Sequence, residues 1–241
     1  MAVVVGVASR RMASIMRKAP NIGLEGLSAS RLPERQVAVL VVINTVREGR
    51  LQVLLVRRSA EPFKEAWSLP GGLLNPGESP DDAAVRKLED ETGVTDVFLE
   101  QLYTFSDLDG RGSIAVAYFA LVDVSAANLA TRKEWLPAWF PIADQPPLAF
   151  ENERVIDYAL RRLRAKLDYS NVAYSLLPAE FTLSQLQSTY EAILSWRLDK
   201  RNFRKRIVSL DIVEPTGRLA SEGRHRPAQL YRFRERKPVV F

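Results

Sequence analysis

The sequence predicts an α/β domain followed by a smaller α+β domain, and three observations carry that expectation. Over residues 36–150, β-rich apolar runs alternate with a strongly signalled helix, which argues a mixed α/β layered fold. Beyond residue 168 the apolar spacing switches to two short helical stripes followed by a turn-rich basic segment. Charge divides in the same way: residues 36–150 carry 10 Lys/Arg against 16 Asp/Glu, whereas residues 151–241 carry 18 against 11. This asymmetry points to an acidic domain for a small ligand and a basic one for a polyanion, or to two solvated surfaces of unequal charge.

In chain order, residues 1–35 read as a basic arm, with Met12 and Met16 as alternative starts. Its arginines follow the short apolar stretch instead of preceding it, the wrong order for a secretion signal. Gln36–Asn44 and Leu51–Val56 are strands joined by a hairpin-like connection at Thr45–Arg50. Pro70-Gly71-Gly72 and Asn75-Pro76-Gly77 punctuate a loop. Ser79 as N-cap, Pro80 at the first helical position and Asp81 and Asp82 in the first turn announce a helix that Gly93 ends. Val97–Thr104 and Ser113–Val122 are further strands, and a helix at Asn152–Leu167 follows a proline-bearing stretch.

Leu183, Leu186, Tyr190, Ile193 and Leu194 then form one helical stripe, with Thr182 placed to cap it. Leu198, Phe203, Ile207 and Leu210 form a second, capped by Asp199. Only Ser195–Arg197 lies between the stripes, short enough for a helix-turn-helix. Two possible strands follow, the second at Gln229–Phe233. Helix, helix and basic hairpin are the order of a winged helix. The domains expected are thus the arm at 1–35, a ligand-sensing domain at 36–150, and a linker helix with the winged helix-turn-helix at 151–241.

Composition narrows the chemistry. There is no Cys, which excludes disulfides, thiolate metal sites and Cys nucleophiles. The single His, His225, excludes His-rich zinc sites. No apolar run approaches the ~18 residues of a membrane span. A cytoplasmic protein without a membrane partner is expected.

The segment GGLLNPGESPDDAAVRKLEDETGV, residues 71–94, holds the most chemistry. Gly71 and Gly72 let backbone approach a ligand closely. On the following helix, residues 87, 90, 91 and 94 share a face, so Asp90 and Glu91 could hold a divalent cation against a diphosphate. Lys87 places an ammonium on that same face, where like charges repel by several kcal/mol at an effective dielectric of about 20. Glu78 and Arg86 suit either a bracing ion pair or ligand contact.

On these residues the segment resembles a Nudix box, G-x5-E-x7-R-E-U-x-E-E-x-G-U with U aliphatic. Gly72, Glu78, Arg86, Leu88, Glu91, Gly93 and Val94 fit; Lys87 stands where the first helical Glu belongs, and Asp90 replaces the second. The resemblance implies a Nudix α/β/α sandwich with a mixed sheet. The departures imply weak or absent hydrolysis at the degenerate set Glu78, Arg86, Lys87, Asp90 and Glu91, with Mg²⁺ held weakly or lost at Asp90 and Glu91.

In the basic segment, Lys200, Arg201, Arg204 and Lys205 form one continuous face of the second helix, with Asn202 near its N-terminal end. Arg218, Arg224, His225 and Arg226 would ride on the wing. Such cations supply salt-dependent affinity for phosphates. The stretches EPFKEAWSLPGG, LEQLYTFSD, LLPAEFTLSQLQSTYEAIL, LDKRNFRKRI and RHRPAQLYRF make residues 36–234 similar to the Nudix-related transcriptional regulators of NAD metabolism. That resemblance implies a dimeric repressor of NAD synthesis or salvage genes that binds double-stranded operator DNA, needs no cofactor, and is released by ADP-ribose or a related nucleotide. Arg57, Arg58, Phe63 and Trp67 suit diphosphate pairing and adenine stacking, Trp67 being equally suited to the core. Gly71, Gly72 and Arg111 complete the expected ligand set, and Lys200, Arg201, Asn202, Arg204, Lys205, Arg224 and Arg226 the DNA set. An ADP-ribose pyrophosphatase, alone or combined with repression, and a regulator of another sugar or nucleotide are the alternatives.

Overall fold

Glu48 and Gly49 turn the first hairpin. Both have positive φ, 53° and 71°, which matches the twist of the strands they join, β1 (Val37–Arg47) and β2 (Arg50–Arg57). These strands begin the structure, a computed structural model that describes residues 36–93, 98–110, 112–125, 127, 129, 136–220 and 227–241. Two short strands follow, β3 (Trp67–Ser68) and β4 (Gly71–Leu73), then helix α1 (Pro80–Thr92). The remaining strands of this sheet are β5 (Phe98–Ser106), β6 (Ile114–Leu121) and β7 (Leu136–Pro141).

The sheet is mixed, with the path β3-β2-β1-β6-β5, β4 also on β1 and β7 also on β2. β1 and β6 run parallel from Val37↔Ile114 to Asn44↔Leu121, and β2, β4 and β5 pair antiparallel to their neighbours. Period-two alternation sends successive side chains to opposite faces. Tyr118 and Ala120 join Val39, Val41, Ile43 and Leu54 under Ala83, Ala84 and Leu88 of α1. Ala117, Phe119 and Leu121 face the other way, toward helix α2 (Asn152–Tyr169), which buries Val155, Ile156, Ala159, Leu163 and Leu167 there. Each buried Val, Ile, Leu or Phe among them stabilises the sandwich by roughly 1.5–3 kcal/mol, and each alanine by less. The α/β/α sandwich is the layering the sequence predicts.

β7 was not legible in the sequence because Pro137 and Pro141 interrupt its pattern. It forms by pairing with β2, from Gln52↔Pro141 to Arg57↔Leu136, at a position where a missing N–H is tolerated.

The C-terminal elements are β8 (Phe181–Thr182), α3 (Leu183–Leu194), α4 (Lys200–Ser209), β9 (Val213–Ala220) and β10 (Ala228–Phe233), with the small sheet ordered β8-β10-β9. Thr182 and Gln185 close a capping box on α3, and Asp199 accepts from Asn202 N at 2.8 Å. This is a winged helix. Phe181, Leu186, Tyr190, Ile193, Phe203, Ile207 and Phe233 belong to the same apolar cluster as α2, so one core runs from the large sheet into the helix pair.

Candidate ligand site and nucleic-acid interface

Gly71 is required by contact. A Cβ there would lie 2.5 Å from the Val39 carbonyl oxygen and 2.7 Å from Leu40 Cδ2, so only glycine lets β4 lie on β1. Gly72 is different: a Cβ there would meet only Lys87, whose Cε and Nζ stand 3.6 and 3.7 Å away. The Lys87 side chain therefore reaches from α1 across the backbone of β4, over the exposed Gly72.

Glu78 is held by its own loop and helix. Arg86 Nε and Nη2 donate to its two carboxylate oxygens at 2.7 and 2.8 Å, and Asn75 N donates to Oε2 at 2.9 Å. Arg86, the Asn75 amide and the nearby Lys87 hold the Glu78 carboxyl down from 4.5 to about 2. Arg86 also lies 3.8 Å from Asp90, while Glu91 is buried. Of the two uses open to Glu78 and Arg86, the structure realises the bracing pair. Tyr118 donates to Asp81, tying the first turn of α1 to β6; burial and that contact push its hydroxyl pKa up.

The aromatic candidates separate. Phe63, half exposed, packs edge-on against Phe150 with centroids 4.9 Å apart, and the Arg58 guanidinium lies 4.6 Å from the Phe150 ring centre. Phe63 and Phe150 both have positive φ, 64° and 60°, a conformation costly for bulky residues and concentrated where ligands are gripped. Trp67 instead packs edge-on against Phe140 at 4.8 Å and lies, partly buried, against the core. Arg57 is exposed and paired with Glu65 at 2.7 Å. Arg111 lies outside the described residues, as do Val94 of the box and Arg224, His225 and Arg226 of the wing. Phe150 was missed by sequence reasoning, since it meets Phe63 from 87 residues away.

On α4, Phe203 and Ile207 face the core, and Lys200, Arg201, Asn202 and Lys205 are exposed. Arg204 is half-buried, and its Nη2 donates to Ser184 Oγ at 3.2 Å. Asn202 also borders a pocket between α4 and the ends of α2 and α3. On the wing, Arg218 pairs with Glu180.

The turn between α3 and α4 is built from local polar contacts. Glu191 accepts from Leu198 N at 2.9 Å and from Arg197 at 3.0 Å, which lowers its carboxyl pKa together with Gln187. Arg164 of α2 donates to the Ile193 carbonyl and to Ser195 Oγ, both at 2.9 Å, capping the end of α3. Lys166 of the same helix lies 2.8 Å from Glu100 of β5; both are buried, and Glu100 also faces Arg162 at 3.3 Å. The Lys166 approach is an ion pair without hydrogen-bond geometry at Glu100 Oε2. α2 is thus fastened to the large sheet on one side and to the helix-turn-helix on the other. These contacts carried no local sequence signal.

An α/β/α domain with a cation across its box, fastened through one helix to a winged helix with a basic exposed face, defines a Nudix-fold protein carrying a nucleic-acid-binding module. Residues 34–159 match the NUDIX domain family, and residues 173–233 match the NrtR DNA-binding winged helix domain. The chain belongs to the NrtR family of Nudix-related regulators. The ADPR responsive transcriptional repressor NtrR of Acinetobacter baylyi is 36% identical over 211 residues, covering 85% of this chain and 84% of that protein. The crystal structure of Shewanella oneidensis NrtR complexed with a 27mer DNA matches with a TM-score of 0.74 at 36% identity, over 82% of this chain and 93% of that one. The NUDIX domain of Shewanella oneidensis NrtR complexed with ADP ribose matches at 33% identity and a TM-score of 0.50, over 61% of this chain and 99% of that one.

Proposed function

We propose that this chain is a transcriptional repressor of NAD synthesis or salvage genes, a homodimer whose grip on operator DNA is loosened by ADP-ribose bound in the Nudix-fold domain. The observation that carries the proposal is the double attachment of α2, to the sheet through Lys166–Glu100 and to the helix-turn-helix through Arg164. A change at the ligand domain therefore has a packed route to the DNA-binding helices. The repressor function of the Acinetobacter relative and the DNA and ADP-ribose complexes of the Shewanella relative support the same reading.

In this mechanism the diphosphate lies along Gly71 and Gly72, beside Lys87, and the Phe63–Phe150–Arg58 cluster offers an aromatic face and a cation for the base. α4 enters the major groove, with Lys200, Arg201, Asn202 and Lys205 at the phosphates and base edges. Arg204 steadies α4 against α3 as well as adding charge. In a dimer, two such helices would reach half-sites about one helical turn apart, roughly 34–36 Å. Arg111, Arg224 and Arg226 extend the ligand and DNA sets.

Fluorescence anisotropy on DNA from upstream of NAD-synthesis genes, at fixed salt, tests the function. Specific binding that weakens as ADP-ribose is added is expected. Specific binding indifferent to ADP-ribose would remove the effector, and equal affinity for unrelated DNA would remove the repressor.

A further inference from the structure

The Nudix resemblance implies a divalent cation at the box, so the fit of the present residues to such an ion decides how this domain handles a diphosphate. They do not fit. Glu78 has both carboxylate oxygens engaged by Arg86 and Asn75. Asp90 lies 3.8 Å from the Arg86 guanidinium. The Lys87 ammonium projects over Gly72 from the helical position where the box pattern has a carboxylate. Among the described residues, no group of three or more His, Cys, Asp and Glu is placed to hold a metal ion. A dication here would share the box with the Arg86 guanidinium and the Lys87 ammonium, with Glu78 already engaged and Glu91 buried.

We propose that Lys87 supplies the charge itself, its ammonium binding the diphosphate directly so that effector binding needs no divalent metal. The geometry favours this role over a passive surface lysine. Within 4 Å of a Cβ placed on Gly72 the atoms met are Lys87 Cε and Nζ, so phosphate oxygens approaching that backbone meet the ammonium. Arg86 is committed to Glu78 and Asp90; Lys87 carries three rotatable donors on a flexible stem, so one can turn toward a phosphate oxygen above Gly72. The same ammonium stands where a hydrolytic member needs a metal-binding carboxylate, so the protein retains a diphosphate without the means to cleave it. The inference rests on the reading of the effector as a nucleoside diphosphate sugar.

Isothermal titration calorimetry of the full chain with ADP-ribose, in EDTA and then in excess Mg²⁺, tests it. Inorganic pyrophosphate serves as a second probe. The wild type should bind ADP-ribose equally under both conditions. Lys87→Gln should bind about 10- to 100-fold more weakly in EDTA, the loss of one charge-assisted contact, whereas Lys87→Arg should stay close to wild type. Lys87→Glu should lose binding in EDTA and recover part of it with Mg²⁺. Thermal melts of each variant separate lost contact from lost fold. Wild-type affinity that rises about tenfold or more with Mg²⁺, or folded Lys87→Gln binding as tightly as wild type, overturns the proposal. Pyrophosphate binding that is metal-independent and Lys87-dependent, with no ADP-ribose binding, upholds the Lys87 site and discards the effector. Binding of neither probe by the wild type overturns both.

Discussion

Glu78 is held by three donors at once, and its protonation reports whether the loop before α1 is closed. Its carboxyl falls from the ordinary 4.5 to about 2, mainly through the Arg86 hydrogen bonds. A pKa depressed by folding contributes stability that is complete above the unfolded value and disappears as pH falls toward the folded one. Glu78→Gln should therefore lower stability most above pH 4.5, where that contribution is complete, and flatten its pH dependence between 4.5 and about 2, where wild type and variant converge. Carbon-detected NMR showing this carboxyl titrating near 4.5 would contradict the closed loop. Buried Glu100 presents a larger effect at the same scale. Glu100→Gln leaves Lys166 without its charged partner in the interior and should cost about 3–5 kcal/mol in urea unfolding. A loss under about 1 kcal/mol would mean that Lys166 escapes to water.

Among the elements, α4 and α2 divide the labour. Arg201 and Lys205 stand on the exposed side of α4, opposite Phe203 and Ile207. If each neutralises one phosphate, Arg201→Ala and Lys205→Ala should each reduce the slope of log affinity against log salt by about 0.9. An unchanged slope in both would remove α4 from the interface. α2 acts by holding its neighbours in place. Arg164→Ala frees the Ile193 carbonyl and Ser195 Oγ at the turn before α4 and should weaken DNA binding about 3- to 10-fold. ADP-ribose affinity, measured by calorimetry, should remain unaltered, because α1, which carries Lys87, packs on the opposite face of the sheet from α2. A parallel fall in both affinities would point to general unfolding.

For the whole molecule, the two binding events are linked thermodynamically, and the factor by which ADP-ribose weakens DNA must equal the factor by which DNA weakens ADP-ribose. Titrating DNA with and without saturating ADP-ribose gives that factor, and a factor of one would remove the coupling between the two sites. The order of the main elements other than β7, the caps Ser79, Thr182 and Asp199, the box with its misplaced lysine and the basic second helix were legible in the chain. Apart from the box, recognised by its spacing from Gly72 to Val94, these features rest on rules that act over four residues or fewer: hydrogen bonds at helix starts, strand alternation and helical periodicity. Local rules also made α2 amphipathic without saying what its polar side would hold. The sheet order brought Glu100 to Lys166 and the docking of α3 brought Ser195 to Arg164, while Phe150 reached Phe63 only once α2 closed over the strands. Whether Lys87 was a stray surface charge or a cation over the Gly72 backbone was likewise decided by the packing of α1 on β1 and β6, because contacts between distant segments form only when the core buries both.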